Sequence, residues 1–328
     1  MQNYHRHSCY SNIFTPDSAA TNEDYAKRAV ELGHKIISSV EHGFQGYYFQ
    51  TYELAKKYNL KCVIGAEAYW VKNRIESDKT NCHIIMLAKN NKGREAINDI
   101  LSEASISGYY YKPRVDLELL LSLPSDDVVI TSACIAFNYY GLDISDEYIL
   151  KLYNHFKNNF YLEIQYHNTE SQKIWNKHLL DLSKKYGIKL IVGLDSHYIS
   201  EDDSYQRDIV LDAKDVHYDD EEGWYMDYPD DETVMSRFLE QGVFNREQIQ
   251  RAMDNTDISL TFDDYDDVYI FSKDIKLPTL YPNKTKEEKD RIYSKLITKK
   301  FKEYMKNIPP EEYDKYYEGV KMEVQTYK

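Results

Sequence analysis

Imidazole, carboxylate and thiol groups recur in this sequence at intervals that suit a metal centre. His5 and His7 alternate across Arg6, so on an extended segment both imidazoles point to one side. Asp17 follows in the next loop. Further on come His42 in Val40-Glu41-His42-Gly43, Glu67 in Gly65-Ala66-Glu67-Ala68-Tyr69, His83, Cys134 in Thr131-Ser132-Ala133-Cys134, and Asp195 with His197 in Gly193-Leu194-Asp195-Ser196-His197. Taken singly, each has an ordinary reading: a lone His is a satisfied polar group, a Glu at a strand end is a cap, and a Cys after an apolar run is buried filler. Together they stand at the ends of six predicted strands. Mixed N, O and S ligands of this kind suit Zn, Mn or Fe better than Mg or Ca. Two or three such ions, about 3.5 to 4 Å apart, can hold the oxygens of a phosphate, bring the pKa of water toward neutrality and stabilise a leaving alkoxide. Such a centre needs no protein nucleophile, and the sequence carries no Gly-x-Ser-x-Gly, no Walker loop and no Rossmann glycine fingerprint.

The elements that must position these groups are legible in the hydrophobic pattern. Short apolar, β-branched runs at 4–7, 35–40, 61–69, 83–88, 127–131, 160–165 and 189–194 predict strands. Longer helical patterns lie between them at 22–32, 46–58, 92–104, 147–158 and 170–186, the last with Ile174, Leu179, Leu182 and Tyr186 as one apolar stripe. Gly33, Gly65 and Gly187 read as element ends. Strand then helix, repeated about seven times, predicts an α/β barrel or a doubly wound sheet. Beyond about residue 206 the alternation stops. Helices are expected at 231–239 and 245–254, an extended linker at 277–282, and then a charged helix at 284–305 with a last one from Glu311. That last helix meets the chain end with no stop signal, which reads as a piece of something longer.

Charge and composition narrow the class. The chain has 328 residues and a net charge of −14, so it does not coat nucleic acid by bulk attraction. Between Glu201 and Glu232 fourteen Asp or Glu face only Arg207 and Lys214, which reads as a solvated stretch that would repel a phosphate backbone. Four cysteines, Cys9, Cys62, Cys82 and Cys134, show no CxxC spacing, which argues against a disulfide framework or a zinc ribbon. No run is long and apolar enough to span a membrane, and the first residues lack the layout of a signal peptide, so a soluble, cytoplasmic protein is expected. His34, His155, His178 and His217 read as ordinary polar positions.

Set in order, His5-Arg6-His7-Ser8-Cys9-Tyr10-Ser11, Glu41-His42-Gly43, Gly65-Ala66-Glu67-Ala68-Tyr69, the stretch from His83 to Lys89-Asn90, Tyr110-Tyr111-Lys112-Pro113-Arg114-Val115-Asp116, Ser132-Ala133-Cys134 and Asp195-Ser196-His197-Tyr198 resemble the PHP (polymerase and histidinol phosphatase) domain. The likeness is strongest to the N-terminal PHP domain of bacterial DNA polymerase III alpha subunits and runs to about residue 282. It implies a distorted seven-stranded (β/α)7 barrel over 1–205, an acidic, mostly helical extension over 206–282, and a charged helical tail over 283–328 that resembles the start of a polymerase region. It also implies a metal site whose ligands would be His5, His7, Asp17, His42, Glu67, His83, Cys134, Asp195 and His197, holding two or three divalent ions, Zn, Mn or Fe. Cys134 is the polymerase-branch choice where the phosphatases have His. Three departures stand out: a loop to Asp17 one residue longer than the family pattern, Glu41 in place of Asp, and Phe137 where glycine is common.

The function the resemblance implies is a metal-dependent phosphoesterase, a 3′–5′ exonuclease of the proofreading type, in which water activated by the metals attacks the phosphodiester. Its partners would be a DNA 3′ end, the polymerase region and replisome subunits. Lys112, Arg114 and His167 are the candidates for contacts to substrate phosphate. Two other functions fit the same family: a catalytically silent structural module of a replicative polymerase, and a phosphatase for small phosphomonoesters of the histidinol phosphatase type. No polymerase active site is expected within these residues.

Overall fold

The computed structural model describes residues 1–135, 146–216, 223–265, 274 and 277–327, so Phe137 and His217 lie outside the described residues. The chain folds as two compact units, Met1–Phe271 and Ser272–Lys328.

The first unit is built on one curled sheet. Its strands are β1 (Ile36–Ser39), β2 (Lys61–Trp70), β3 (Cys82–Ala88), β4 (Arg114–Val115), β5 (Val128–Thr131), β6 (Phe160–Ile164) and β7 (Lys189–Val192), in the order β1-β2-β3-β5-β6-β7 with β4 beside β2. β1/β2, β5/β6 and β6/β7 pair parallel, whereas β3 runs antiparallel to both β2 and β5. That reversal is where the fold departs from a regular (β/α) barrel. The predicted strand at 4–7 is extended but joins by a single bridge, Arg6 to Ser196, with His7 N–H donating to Ser196 O at 2.8 Å. The seventh strand is instead β4, whose two residues are too short for a hydrophobic period to announce. Inside the curl lies an apolar floor of Tyr4, Ile36, Val63, Ile85, Leu87, Val129, Tyr161 and Ile191. The larger core fills the space between the sheet and the helices.

Helices α1 (Asn22–Glu31), α2 (Tyr48–Tyr58), α3 (Asn91–Ile106), α4 (Leu117–Ser122), α5 (Asp146–Phe156) and α6 (Glu170–Tyr186) cover the outer face. α1 starts on a capping box, Thr21 with Asp24, and α6 stops at Gly187, whose φ of +73° suits a residue without Cβ. Two expectations from the hydrophobic pattern need correction. Ile174 is exposed, because the buried face of α6 is Gln172, Trp175, Asn176, Leu179 and Leu182. Gly65 ends nothing: it sits inside β2, where a Cβ would stand 2.3 Å from Met86 O across the ladder.

α7 (Ser204–Ala213), α8 (Asp231–Gln241) and α9 (Arg246–Asp254) follow, and Val234, Phe238, Ile249 and Met253 share the same core as the barrel helices. The second unit holds α10 (Lys286–Tyr304), opened by a Thr285/Glu288 capping box, and α11 (Tyr313–Tyr327). The two touch through Phe301–Tyr317 and Tyr304–Tyr316 ring contacts. Among the described residues no helix is long and apolar enough to cross a membrane.

Candidate metal centre

The N-terminal segment, positions in β2 and β3, and the loops after β1, β5 and β7 deliver these polar groups to the same mouth. His5 and His7 arrive on the N-terminal segment, and their Nε2 atoms are 3.3 Å apart. Glu67, in β2, is the hub: its oxygens stand 3.4 Å from His5 Nε2, 3.4 Å from His7 Nε2, 2.6 Å from His42 Nδ1 and 3.2 Å from His83 Nδ1. Asp195 Oδ1 lies 3.1 Å from His5 Nε2 and 3.2 Å from His7 Nε2. Asp17 Oδ2 lies 3.5 Å from His42 Nε2 and 3.3 Å from His197 Nε2. Cys134 Sγ closes the circle at 3.5 Å from His83 Nδ1. All nine sequence-predicted residues are thereby brought together, Asp17 included despite its longer loop. Three overlapping groups, His7/His42/His197, His5/His7/Glu67 and His42/Glu67/His83, could each hold a metal ion.

The electrostatics of the cluster test whether it fits a metal ion. Asp17 Oδ1, both oxygens of Glu67, both nitrogens of His42 and Asp195 Oδ1 are buried with no hydrogen-bond partner among the described residues, although they approach one another closely. Buried charge is tolerated only when compensated. Burial disfavours the charged form of His42, yet Asp17 and Glu67 outweigh it and hold the imidazole at about 10. His5 is pushed up in the same way, against its burial, by Asp195 and Glu163. Burial and the neighbouring His42 instead lower His7 to about 4. Burial opposes ionisation of Glu67 and Asp195 too, but the surrounding imidazoles keep both carboxyls well below their usual range. Protons on imidazole thus offset the buried carboxylates, and a converging donor set of N, O and S atoms fits divalent ions.

Behind these residues stands a layer that sequence reasoning missed. Glu163, on the lumen face of β6, lies 2.6 Å from His5 Nδ1 and accepts hydrogen bonds from Tyr4 Oη and Thr131 Oγ1 at 2.7 and 2.9 Å. Gly193 leaves the room, since a Cβ there would meet Glu163 Oε1 at 2.0 Å. Glu41 accepts from Ser8 and Ser11 Oγ, each at 2.6 Å, and Ser11 Oγ is 3.1 Å from His7 Nδ1. Such partners fix ring orientation and raise ligand basicity. The only sequence signal for Glu163 would be a carboxylate at a lumen-facing position of an otherwise apolar strand. Asp195 and Ala133, the residue before Cys134, both take positive φ, 48° and 53°, a strained backbone of the kind held at functional sites.

Of the expected phosphate contacts, Lys112 stands beside the cluster, with its ammonium 3.4 Å from Thr15 Oγ1 and 4.2 Å over the Tyr69 ring. Its pKa is lowered by burial, against the pull of Asp17 and Glu67. Arg114 is turned elsewhere: its guanidinium donates to the backbone carbonyls of Gly108, Asp78 and Arg74 and brackets that loop. His167 is buried against Trp224 and accepts a hydrogen bond from Tyr225 N–H at Nδ1. The remaining described histidines have structural partners: His34 with Tyr228 and Asp231, His155 with Leu123 O, and His178 beside Asp146.

Known proteins show what the chain is similar to. The PHP domain model matches residues 3–167. DNA polymerase III subunit alpha of Aquifex aeolicus is 31% identical over 225 residues, 63% of this chain and 19% of that protein. The same subunit of Borreliella burgdorferi is 32% identical over 219 residues, again 63% and 19%, and that of Campylobacter jejuni is 24% identical over 359 residues, 99% of this chain and 29% of that protein. Among solved structures, a Bifidobacterium adolescentis protein provisionally assigned as a metal-dependent phosphoesterase aligns with a TM-score of 0.46 and 13% identity, over 74% of this chain and 96% of that one. The chain spans about a fifth of the length of the first two polymerase subunits it matches. With the family model covering half of its residues, the chain belongs to the PHP domain family.

Proposed function

We propose that this chain is a metal-dependent phosphoester hydrolase and, within that class, a 3′–5′ exonuclease acting on DNA 3′ ends in the cytoplasm beside a replicative polymerase. The observation that carries the reading is the convergence of His5, His7, Asp17, His42, Glu67, His83, Cys134, Asp195 and His197 on one mouth, where buried atoms of Asp17, His42, Glu67 and Asp195 have no hydrogen-bond partner among the described residues. These nine are the proposed ligands of two or three divalent ions. Zn, Mn or Fe bound there would supply Lewis-acid polarisation of the phosphoryl group and would lower the pKa of water toward neutrality. The protein's own residues do the rest. Glu163 fixes the tautomer of His5 through Nδ1, so that Nε2 faces the cluster. Ser11, held by Glu41, does the same for His7. Lys112 adds a positive charge where the other oxygens of a phosphate would rest. The polymerase context is supported by the relatives, all three of which are polymerase alpha subunits.

The test is hydrolysis of a 3′-ended single-stranded oligonucleotide, beside p-nitrophenyl phosphate, with Mn²⁺ or Zn²⁺ and with EDTA, His7→Ala and Asp195→Asn as controls. Stepwise shortening abolished by all three controls is expected, while circular dichroism of both variants stays close to that of the parent. Cleavage of the small ester alone would replace the nuclease by a phosphatase. Bound metal with neither activity would leave a structural module.

A further inference from the structure

β6 carries polar groups into the lumen beyond its last ladder residue. Leu162, Ile164 and Tyr166 lie in the outer core and Tyr161 in the inner floor, so with period two Glu163, Gln165 and His167 share the lumen face. The contacts agree. Gln165 Nε2 donates to Glu163 Oε1 at 3.1 Å, the oxygen that stands 2.6 Å from His5 Nδ1. His167 is also tied to the opposite rim, because Tyr225 N–H donates to its Nδ1 at 3.1 Å while His197 N–H donates to the next carbonyl, Met226 O, at 2.8 Å. Its backbone is fixed as well: the amide of Gln241, from α8, donates to Gln165 O and His167 O at 3.1 and 2.7 Å.

A backbone N–H can donate only to a ring nitrogen that carries a lone pair. Nδ1 of His167 is therefore the acceptor and Nε2 carries the hydrogen. That Nε2 is buried, in a residue 1% exposed, and has no hydrogen-bond partner among the described residues. A buried donor left unmatched is costly unless a ligand or water completes it. A neutral donor also suits a position within electrostatic reach of Asp195, His197 and His5, since it orients an anionic oxygen without adding charge.

We propose that His167 Nε2–H donates a hydrogen bond to a phosphoryl oxygen of the substrate, an inference that rests on the phosphoesterase reading above. The test is calorimetric titration of inorganic phosphate into the Mn²⁺-loaded full chain and its variants, run beside the hydrolysis assay. His167→Asn keeps an acceptor for Tyr225 N–H but loses the Nε2 donor, whereas His167→Gln returns an N–H near the Nε2 position. Phosphate affinity is expected to fall about tenfold in His167→Asn and to stay within about threefold of the parent in His167→Gln. Metal content of both variants should match the parent, as should the melting temperature of His167→Asn, whereas His167→Gln, which lacks the acceptor for Tyr225 N–H, should melt somewhat lower. Equal affinity in parent and His167→Asn, equal loss in both variants, or no phosphate binding by the loaded parent would each overturn the proposal. Phosphate binding with this pattern and no hydrolysis would remove the phosphoesterase reading while leaving the contact. Hydrolysis without the pattern would remove the contact alone.

Discussion

At the scale of single residues, the cluster divides into groups that face the centre and groups that hold them. His-x-His on an extended segment, and carboxylate, imidazole or thiol groups at the ends of six predicted strands, were visible in the sequence because strand period and strand ends are themselves visible. Glu163 was not, since a glutamate inside an apolar run looks the same whether it caps, pairs or orients a ring. Its contacts make it the support of His5, because Oε1 stands 2.6 Å from His5 Nδ1 while Oε2 accepts from Tyr4 and Thr131. Glu163→Gln keeps the size and removes the charge that would make His5 a better metal ligand. Metal affinity measured by competition with a chromophoric chelator should fall about 10 to 100-fold. An unchanged affinity would mean that His5 is oriented by the backbone alone.

At the scale of elements, most boundaries followed from local chemistry, and the misses have a common cause. α6 runs over the residues expected because Thr169 caps its start and Gly187 its end. The direction of β3, the two-residue β4 and the single bridge of the N-terminal segment are set by long-range pairing, which hydrophobic period does not encode. Gly65 shows the point from the other side: its role is a close approach across the β2/β3 ladder, not a turn. Because a Cβ at Gly65 would meet Met86 O at 2.3 Å and Leu87 Cδ2 at 2.9 Å, neither strand can give without breaking the ladder beneath Glu67. Gly65→Ala should lower stability by about 3 kcal/mol, seen as a lower urea midpoint at unchanged m. A variant as stable as the parent would show that β3 can shift sideways.

At the scale of the whole molecule, an acidic chain of net charge −14 collects buried carboxylates and imidazoles at one mouth, so its stability is coupled to both cations and protons. In the metal-free protein His42 titrates at about 10 rather than near 6.5, with burial outweighed by Asp17 and Glu67. A raised pKa of this kind contributes stability fully below about pH 6.5 and loses it as pH climbs through about 10. On the proposed ligand set, bound cations would replace those protons, and the metal-loaded fold would have no such loss to suffer. The carboxyls of Glu67 and Asp195, held low, stay ionised across this range and add no slope of their own. Melting temperatures with Mn²⁺ and with EDTA should therefore diverge as pH is raised from about 6.5 to about 9.5, the EDTA curve falling faster. The same linkage requires that metal binding release protons, so the calorimetric heat should change between buffers of different ionisation enthalpy. Curves that stay parallel, together with a buffer-independent heat, would mean that the imidazoles are already neutral in the metal-free fold and that the buried carboxylates are compensated some other way.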